Sequence, residues 1–332
     1  MNWLAAVVVA LVLVACVSRP PESPIPSEVT DLNVAGSFNV AWTTQGAIAI
    51  VRDASDGPEL RTQLEIIDRV NDGTPAVVPL RLDGCEPTVP AVPVSAEGSL
   101  LVAIDCPNSS PPRITLAQVN VDGGAASSVV DLPFLPNAFG TQDGGKTWIA
   151  SYSSGFCAYI DRIEVTKPSE SPVWPVEVRA GSDSFNVDDA REAANCDRTP
   201  LADDLSISLD GELAFVASAD GLRLSGAARL DAVWSLYFAA VDGTAREVAG
   251  GFLRPTQVSW RPGSHAVAVA ARLGRQWGVW LVDDSGHVTL LYEGQPTRFA
   301  WSPKGDALAI VELAGVEGSP SSPTRLIVVT LK

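Results

Sequence analysis

The segment A-W-S-P-K-G-D-A-L-A-I at residues 300–310 decides how this chain is read. An aromatic strand-like run ends in a short polar turn, and a run of small apolar residues follows. Gly305 tolerates the positive φ that a tight connection between two strands needs. The segment reads as a β-hairpin, and its pattern recurs upstream. The instances are A-W-T-T-Q-G-A-I-A-I (41–50), P-V-S-A-E-G-S-L-L-V-A (93–103), G-T-Q-D-G-G-K-T-W-I-A (140–150), S-I-S-L-D-G-E-L-A-F-V (206–216) and S-W-R-P-G-S-H-A-V-A-V (259–269).

The turn glycines are Gly46, Gly98, Gly144, Gly211, Gly263 and Gly305, at intervals of 52, 46, 67, 52 and 42 residues. A period of roughly 40–50 residues is that of propeller blades. The long interval needs an insertion, which is visible at about 181–202. A second marker follows most of these glycines: L-E-I-I-D-R-V-N-D-G (64–73), L-A-Q-V-N-V-D-G (116–123), L-Y-F-A-A-V-D-G (236–243) and V-W-L-V-D-D-S-G (279–286). Asp-Gly between two strand-like runs is a hairpin signal. Each unit therefore holds about four short strands, a to d, and the expected fold is an all-β propeller of about six four-stranded blades.

The segment 300–310, with W-R-P-G at 260–263, resembles the Trp-Ser-Pro-Asp-Gly repeat of TolB-type propellers. The last two repeats match it well, and the earlier ones match by pattern. The resemblance implies a fold and not an activity, since such repeats serve peptidase-attached propellers, periplasmic scaffolds and lipoprotein sensor domains alike. The final unit lacks a strand d, and E-V-T-D-L-N-V (28–34) is expected to supply it. That pairing would remove edges that otherwise invite aggregation.

Antiparallel strands place the a–b and c–d turns on one side of the disc and the b–c and d–a connections on the other. The first set is mostly tight. The second includes the long stretches 53–60, 105–112, 218–229 and 314–323 and the insertion 181–202. Cys85, Cys106, Cys157 and Cys196 are read onto those long connections, Cys106 and Cys157 in b–c loops and the other two in d–a loops. Three pairings are open to four cysteines. Placement favours Cys85–Cys106 and Cys157–Cys196, pinning long loops. The insertion's charged residues Asp188, Asp189, Arg191, Glu192, Asp197 and Arg198 make it the candidate binding face.

The N-terminus sets the expected address. Trp3 to Ala15 is wholly apolar, shorter than the roughly 18–20 residues of a membrane-spanning helix, and Cys16 follows. L-V-A-C (13–16) resembles the lipobox of bacterial lipoproteins, although M-N-W lacks the usual basic residue. The resemblance implies cleavage before Cys16 and a lipid anchor on it. The expected organisation is a signal peptide at 1–15, the lipidated Cys and Pro-rich tether at 16–27, and a propeller at 28–332. The location implied is an exported protein, lipid-anchored to the cell membrane or outer membrane.

A formal charge of −16 argues against nucleic acid or an anionic lipid surface as the main partner. T-Q-D-G-G-K-T-W (141–148) matches the Asp-box of sialidase-like propellers, but it occupies the a–b turn register and reads as a hairpin turn. Asp188, Asp189, Glu192, Asp203 and Asp204 lack the alternating spacing of a Ca²⁺ loop and read as solvated acids. His265 and His287 sit in turns. No G-x-S-x-G occurs. The tryptophans Trp42, Trp260 and Trp301 on a strands, and Trp234, Trp277 and Trp280 on c strands, read as packing between units.

No catalytic set, metal site or cofactor is assigned. The expectation is a noncatalytic protein-binding or assembly scaffold of the cell envelope. The alternatives are a lactonase- or glycosidase-like hydrolase with a channel metal, or a small-ligand sensor.

Overall fold

The computed structural model describes residues 26–35, 38–43, 45–54, 61–67, 76–79, 86–93, 99–106, 109–120, 126–132, 138–142, 147–154, 157–164, 177–180, 183–186, 202–208, 212–218, 232–240, 244–313 and 324–332. Every strand pairing among them is antiparallel. The strands β2 (Phe38–Trp42), β3 (Ile48–Ala54), β4 (Arg61–Ile67) and β5 (Ala76–Pro79) form one sheet in chain order. A second holds β6 (Glu86–Pro93), β7 (Ser99–Cys106), β8 (Arg113–Asn120) and β9 (Ala126–Leu132). A third holds β10 (Ala138–Gln142), β11 (Thr147–Ser154) and β12 (Cys157–Glu164). A separate hairpin follows, β13 (Glu177–Ala180) with β14 (Asp183–Asn186).

The next two repeats share one seven-stranded sheet. It runs through β15 (Ala202–Ile207), β16 (Leu213–Ala217), β17 (Val233–Ala239), β18 (Ala245–Trp260), β19 (Ala266–Leu273), β20 (Gln276–Asp283) and β21 (Val288–Glu293). β18 is shared, pairing with β17 through its first half and with β19 through its second. Its register slips between Leu253 and Gln257, and Arg254 there has φ 50. A bulge of this kind sharpens the local bend. One continuous strand thus stands where the repeat pattern expects an outer strand followed by a new inner one.

The last sheet answers the closure expectation. Its order is β1 (Pro26–Ala35), β24 (Thr324–Leu331), β23 (Ala307–Leu313), β22 (Pro296–Trp301), so the N-terminal strand lies beside the C-terminal one. β1 begins at Pro26, two residues before the expected start of the body. Proline is tolerated as the first residue of an edge strand because no ladder N–H is required of it there.

The inner strands touch in sequence: β2 lies against β6, β6 against β10, β10 against β15, β15 against β18, β18 against β22, and β22 against β2. Apolar side chains fill the space between neighbouring sheets. On β19 the alternation sorts them, with Val267, Val269 and Ala271 packing toward β16 and β17, and Ala266, Ala268 and Ala270 toward β22 and β23. A third cluster joins Val40, Trp42, Ile48 and Ile50 of the first sheet to Ala309, Val311, Leu326 and Val328 of the last.

Trp42, Trp260 and Trp301 are buried, and each indole N–H donates to a carbonyl on the inner strand of the neighbouring repeat. The acceptors are Ala300 at 3.0 Å, Ser206 at 3.1 Å and Ser259 at 3.3 Å, respectively. The packing role read for these residues is therefore the one they have.

Two cysteine positions differ from expectation. Cys106 closes β7 and Cys157 opens β12, so neither lies in a loop. The connection from β11 to β12 is a tight one because Ser154 pairs directly with Cys157. The connection from β19 to β20, Gly274-Arg275, is equally short, so the long-connection face is not long in every repeat. Among the described residues no helix is long and apolar enough to cross a membrane.

Candidate functional site

The two sides of the sheets are built differently, and the described residues show how. On the side of the a–b and c–d turns the backbone closes on itself. Gly305 N–H donates to Ser302 O at 2.9 Å, and the Ser302 hydroxyl donates to Asp306 Oδ1 at 2.6 Å. Gly305 has φ 68, and a Cβ there would stand 2.6 Å from Pro262 O, so only glycine fits. Arg261 donates from Nε to Gly305 O at 2.8 Å and lies over the Trp301 ring at 5.8 Å. Burial lowers its pKa, with the nearby Asp306 charge acting against that.

The turn at 283–287 is closed by Asp283, whose Oδ1 accepts from Ser285 N–H at 2.9 Å, Ser285 Oγ–H at 2.6 Å and His287 N–H at 3.0 Å. Burial pushes the Asp283 carboxyl up, but the bonds from Ser285 and His287 outweigh it and hold the pKa below the ordinary value. His287 is thus a turn residue. His265 faces Glu212 at 3.5 Å with 63 % of its side chain exposed, which makes a weak contact.

The opposite side carries a network built on Glu312, the one buried charged residue among the described residues. β23 presents Leu308 and Ile310 to the seven-stranded sheet, and alternation turns Glu312 the same way, at the end of the strand where the chain passes toward β24. Its side chain is only 6 % exposed. Its Oε2 accepts from Arg325 Nε at 2.7 Å, and its Oε1 accepts from Gln295 N–H at 3.2 Å. The Tyr292 hydroxyl of β21 also bonds to it. Arg325 reaches on to Asp31 of β1 at 3.5 Å, in a half-exposed position.

Gly294 completes the junction. Its N–H donates to Trp277 O at 3.2 Å, and a Cβ on it would lie 1.9 Å from Glu312 Oε1 and 2.6 Å from Tyr292 Cε1. A buried carboxylate needs this many donors, because desolvation otherwise disfavours its charge. The network joins two sheets and the N-terminal strand at one point.

Its chemistry is that of a lock. Burial, then the bond to Glu312 and its charge, push the Tyr292 phenol well above the ordinary range, so it stays protonated and donates. A nucleophilic or basic phenol needs the reverse shift. Arg325 is raised by its bond to Glu312, which fixes it as a cation. Among the described residues, no group of three or more metal-ligating side chains comes together.

The sequence pointed elsewhere. Cys16, Cys85, Asp188, Asp189, Arg191, Glu192, Cys196, Asp197 and Arg198 lie outside the described residues, as does most of the 181–202 insertion. The described part of that insertion, β14, is paired with β13 rather than forming an open loop. Tyr292, Gly294, Glu312 and Arg325 carry no local motif, since three strands and a turn bring them together.

No protein-family model matches the chain, and no curated protein matches it in sequence. Solved structures do. A TolB protein of Agrobacterium tumefaciens is similar with a TM-score of 0.53 at 14% identity, over 92% of this chain and 99% of that one. An alpha-L-arabinanase of Penicillium chrysogenum, solved with arabinobiose, is similar with a TM-score of 0.53 at 12% identity, over 93% and 98%. The WD40 repeats of RRP9 are similar with a TM-score of 0.50 at 11% identity, over 94% and 99%. These neighbours are propellers, and they include enzyme and non-enzyme alike. They place the chain among antiparallel all-β proteins of propeller type, and at such identity the likeness speaks of fold alone.

Proposed function

We propose that the chain is an exported lipoprotein, cleaved and acylated at Cys16, whose body closes as a six-bladed propeller and acts as a noncatalytic binding or assembly scaffold in the cell envelope. The side bearing the 181–202 insertion, with Asp188, Asp189, Arg191, Glu192, Asp197 and Arg198, is the surface that meets a protein or envelope partner. The observation that carries this reading is the asymmetry between the sides. One is made of short self-bonded turns, and the other is the side to which the repeat pattern assigns the insertion and on which Glu312 locks the last two repeats together. Ordered connections on a rigid frame are how such folds present binding surfaces.

What supports closure is the cycle of inner-strand contacts and the bond from Trp42 to Ala300. The reading also pairs Cys85 with Cys106, and Cys157 with Cys196. The β6–β7 register supports the first pair. Glu86 stands opposite Asp105, and Cys85 and Cys106 are the next residues in sequence beyond that pair. Opposed residues of antiparallel strands lie about 4.5–5.5 Å apart at Cα, within the range a disulfide spans. Cys106 has no exposed surface.

The test is capture of partners from detergent-extracted membranes by the full lipidated protein, with and without residues 181–202. Loss of specific partners on deletion is expected, and an unchanged set sinks the reading. Stoichiometric metal in the purified body, with chelator-sensitive stability, would favour the hydrolase alternative instead.

A further inference from the structure

We infer that the body is held with its tight-turn side toward the bilayer, so that the side with the long connections points away from the membrane that anchors it. This rests on the lipid anchor at Cys16 proposed above. The direction of β1 carries it. Pro26 pairs with Leu331 and Ala35 with Arg325, so β1 runs from one side of the sheets to the other.

Both ends are fixed by neighbours of known side. Leu331 N–H donates to Asp306 O at 2.8 Å, and Asp306 belongs to the tight turn between β22 and β23. Arg325 is bonded to Glu312 on the opposite side. The chain coming from Cys16 therefore reaches the body on the tight-turn side, at its outer edge.

Length turns this into an orientation. Pro26 lies ten positions after Cys16, and a Pro-rich segment extends by about 3.1 Å per residue, giving about 31 Å. β1 has ten residues rising about 3.3 Å each, so the edge it runs along is about 30 Å high. To set the long-connection side on the bilayer, the tether would have to run back along that whole edge and would have no slack left. With the tight-turn side facing the lipid, the full tether is free and the body can lie close to the surface.

The partner surface is thereby directed to a soluble protein or to an opposing structure across the envelope compartment. It is not directed to a protein embedded in the anchoring bilayer.

The experiment uses the lipidated full chain in phosphatidylcholine–phosphatidylglycerol vesicles carrying a nitroxide on the lipid headgroup. A fluorescent unnatural residue replaces Lys304 in one preparation and Arg275, in the β19–β20 turn, in another. Quenching at least twofold stronger at 304 than at 275 is expected. Equal quenching, or stronger quenching at 275, overturns the orientation while leaving the anchor intact. A Cys16→Ala variant separates the two ideas. If wild type and variant float with vesicles alike, or if Cys16 carries no acyl mass, the anchor itself fails and the orientation falls with it.

Discussion

The indole N–H of Trp42 donates to the carbonyl oxygen of Ala300 at 3.0 Å, across 258 positions of chain. Two further indoles repeat the arrangement one repeat apart, Trp301 to Ser259 and Trp260 to Ser206. Ala300 directly precedes Trp301 and Ser259 directly precedes Trp260. Trp42 and Trp301 thus bond to the backbone just before the tryptophan of the preceding repeat, and Trp260 bonds to Ser206, just before Ile207. At Trp42 the pattern joins the first sheet to the last.

Trp42→Phe keeps most of the buried ring and removes only the donor, leaving Ala300 O without it. A loss of about 1–2 kcal/mol in urea unfolding is expected, and Trp42→Ala should cost about 3–5 kcal/mol. His265→Ala, at a mostly exposed side chain, is the control and should stay within about 0.5 kcal/mol. A Trp42→Phe protein as stable as wild type would remove the indole bond from the account of closure.

At Gly294 the absent side chain matters. Gly294→Ala should destabilise by about 2 kcal/mol, because its Cβ would meet a carboxylate pinned by Arg325 and the ring of Tyr292. Glu312→Ala should cost a similar amount, by leaving Arg325 and Gln295 without their acceptor. The double variant should cost clearly less than the two added together, since removing Glu312 relieves part of the clash. Simple additivity in a double-mutant cycle would show that the two residues do not meet.

The raised Tyr292 pKa has a sign in stability. Below the ordinary value of 10.0 the phenol is protonated whether the chain is folded or not, so its contribution is complete. Above that value the unfolded chain ionises while the folded one resists. Stability must then fall as pH climbs past about 10. Tyr292→Phe should flatten that decline while lowering stability slightly at neutral pH. Melting temperatures from pH 8 to 11 for both proteins test this, and identical slopes would rule it out.

Peptide mapping of the non-reduced protein should give a fragment joining Cys85 to Cys106 and another joining Cys157 to Cys196. Reduction should cost about 3 kcal/mol per bridge lost. Cys85 found joined to Cys157 would contradict the register argument from Glu86 and Asp105.

Much of the architecture was legible because it is written locally. Gly263 and Gly305 mark turns through φ 73 and φ 68, and the alternating Ala and Val of β19 divide its two faces between two neighbours. Strand β1 was legible only through a missing partner at the other end of the chain. The fusion of two repeats through β18 was not. Arg254-Pro255 looks like a break, yet the register slip between Leu253 and Gln257 absorbs a proline without its N–H. Cys106 and Cys157 were read as loop residues because a strand's last position and a loop's first look alike in sequence. The Glu312 junction has no spacing to detect. Tyr292, Glu312 and Arg325 come from three strands, and their meeting depends on how two sheets pack.

The pairing of β1 with β24 also orders events in time. Thr30 stands opposite Val328 and Asp31 opposite Ile327, so β1, made before every other described strand, waits for β24 before it has a neighbour. Contacts of such separation form slowly, because the loop they close holds every described strand between β1 and β24. A ribosome stalled, or a protease acting, a few residues before Thr324 would leave the open edge of β23 and the solitary β1 exposed together. The arrival of β24 thus settles two edges at once.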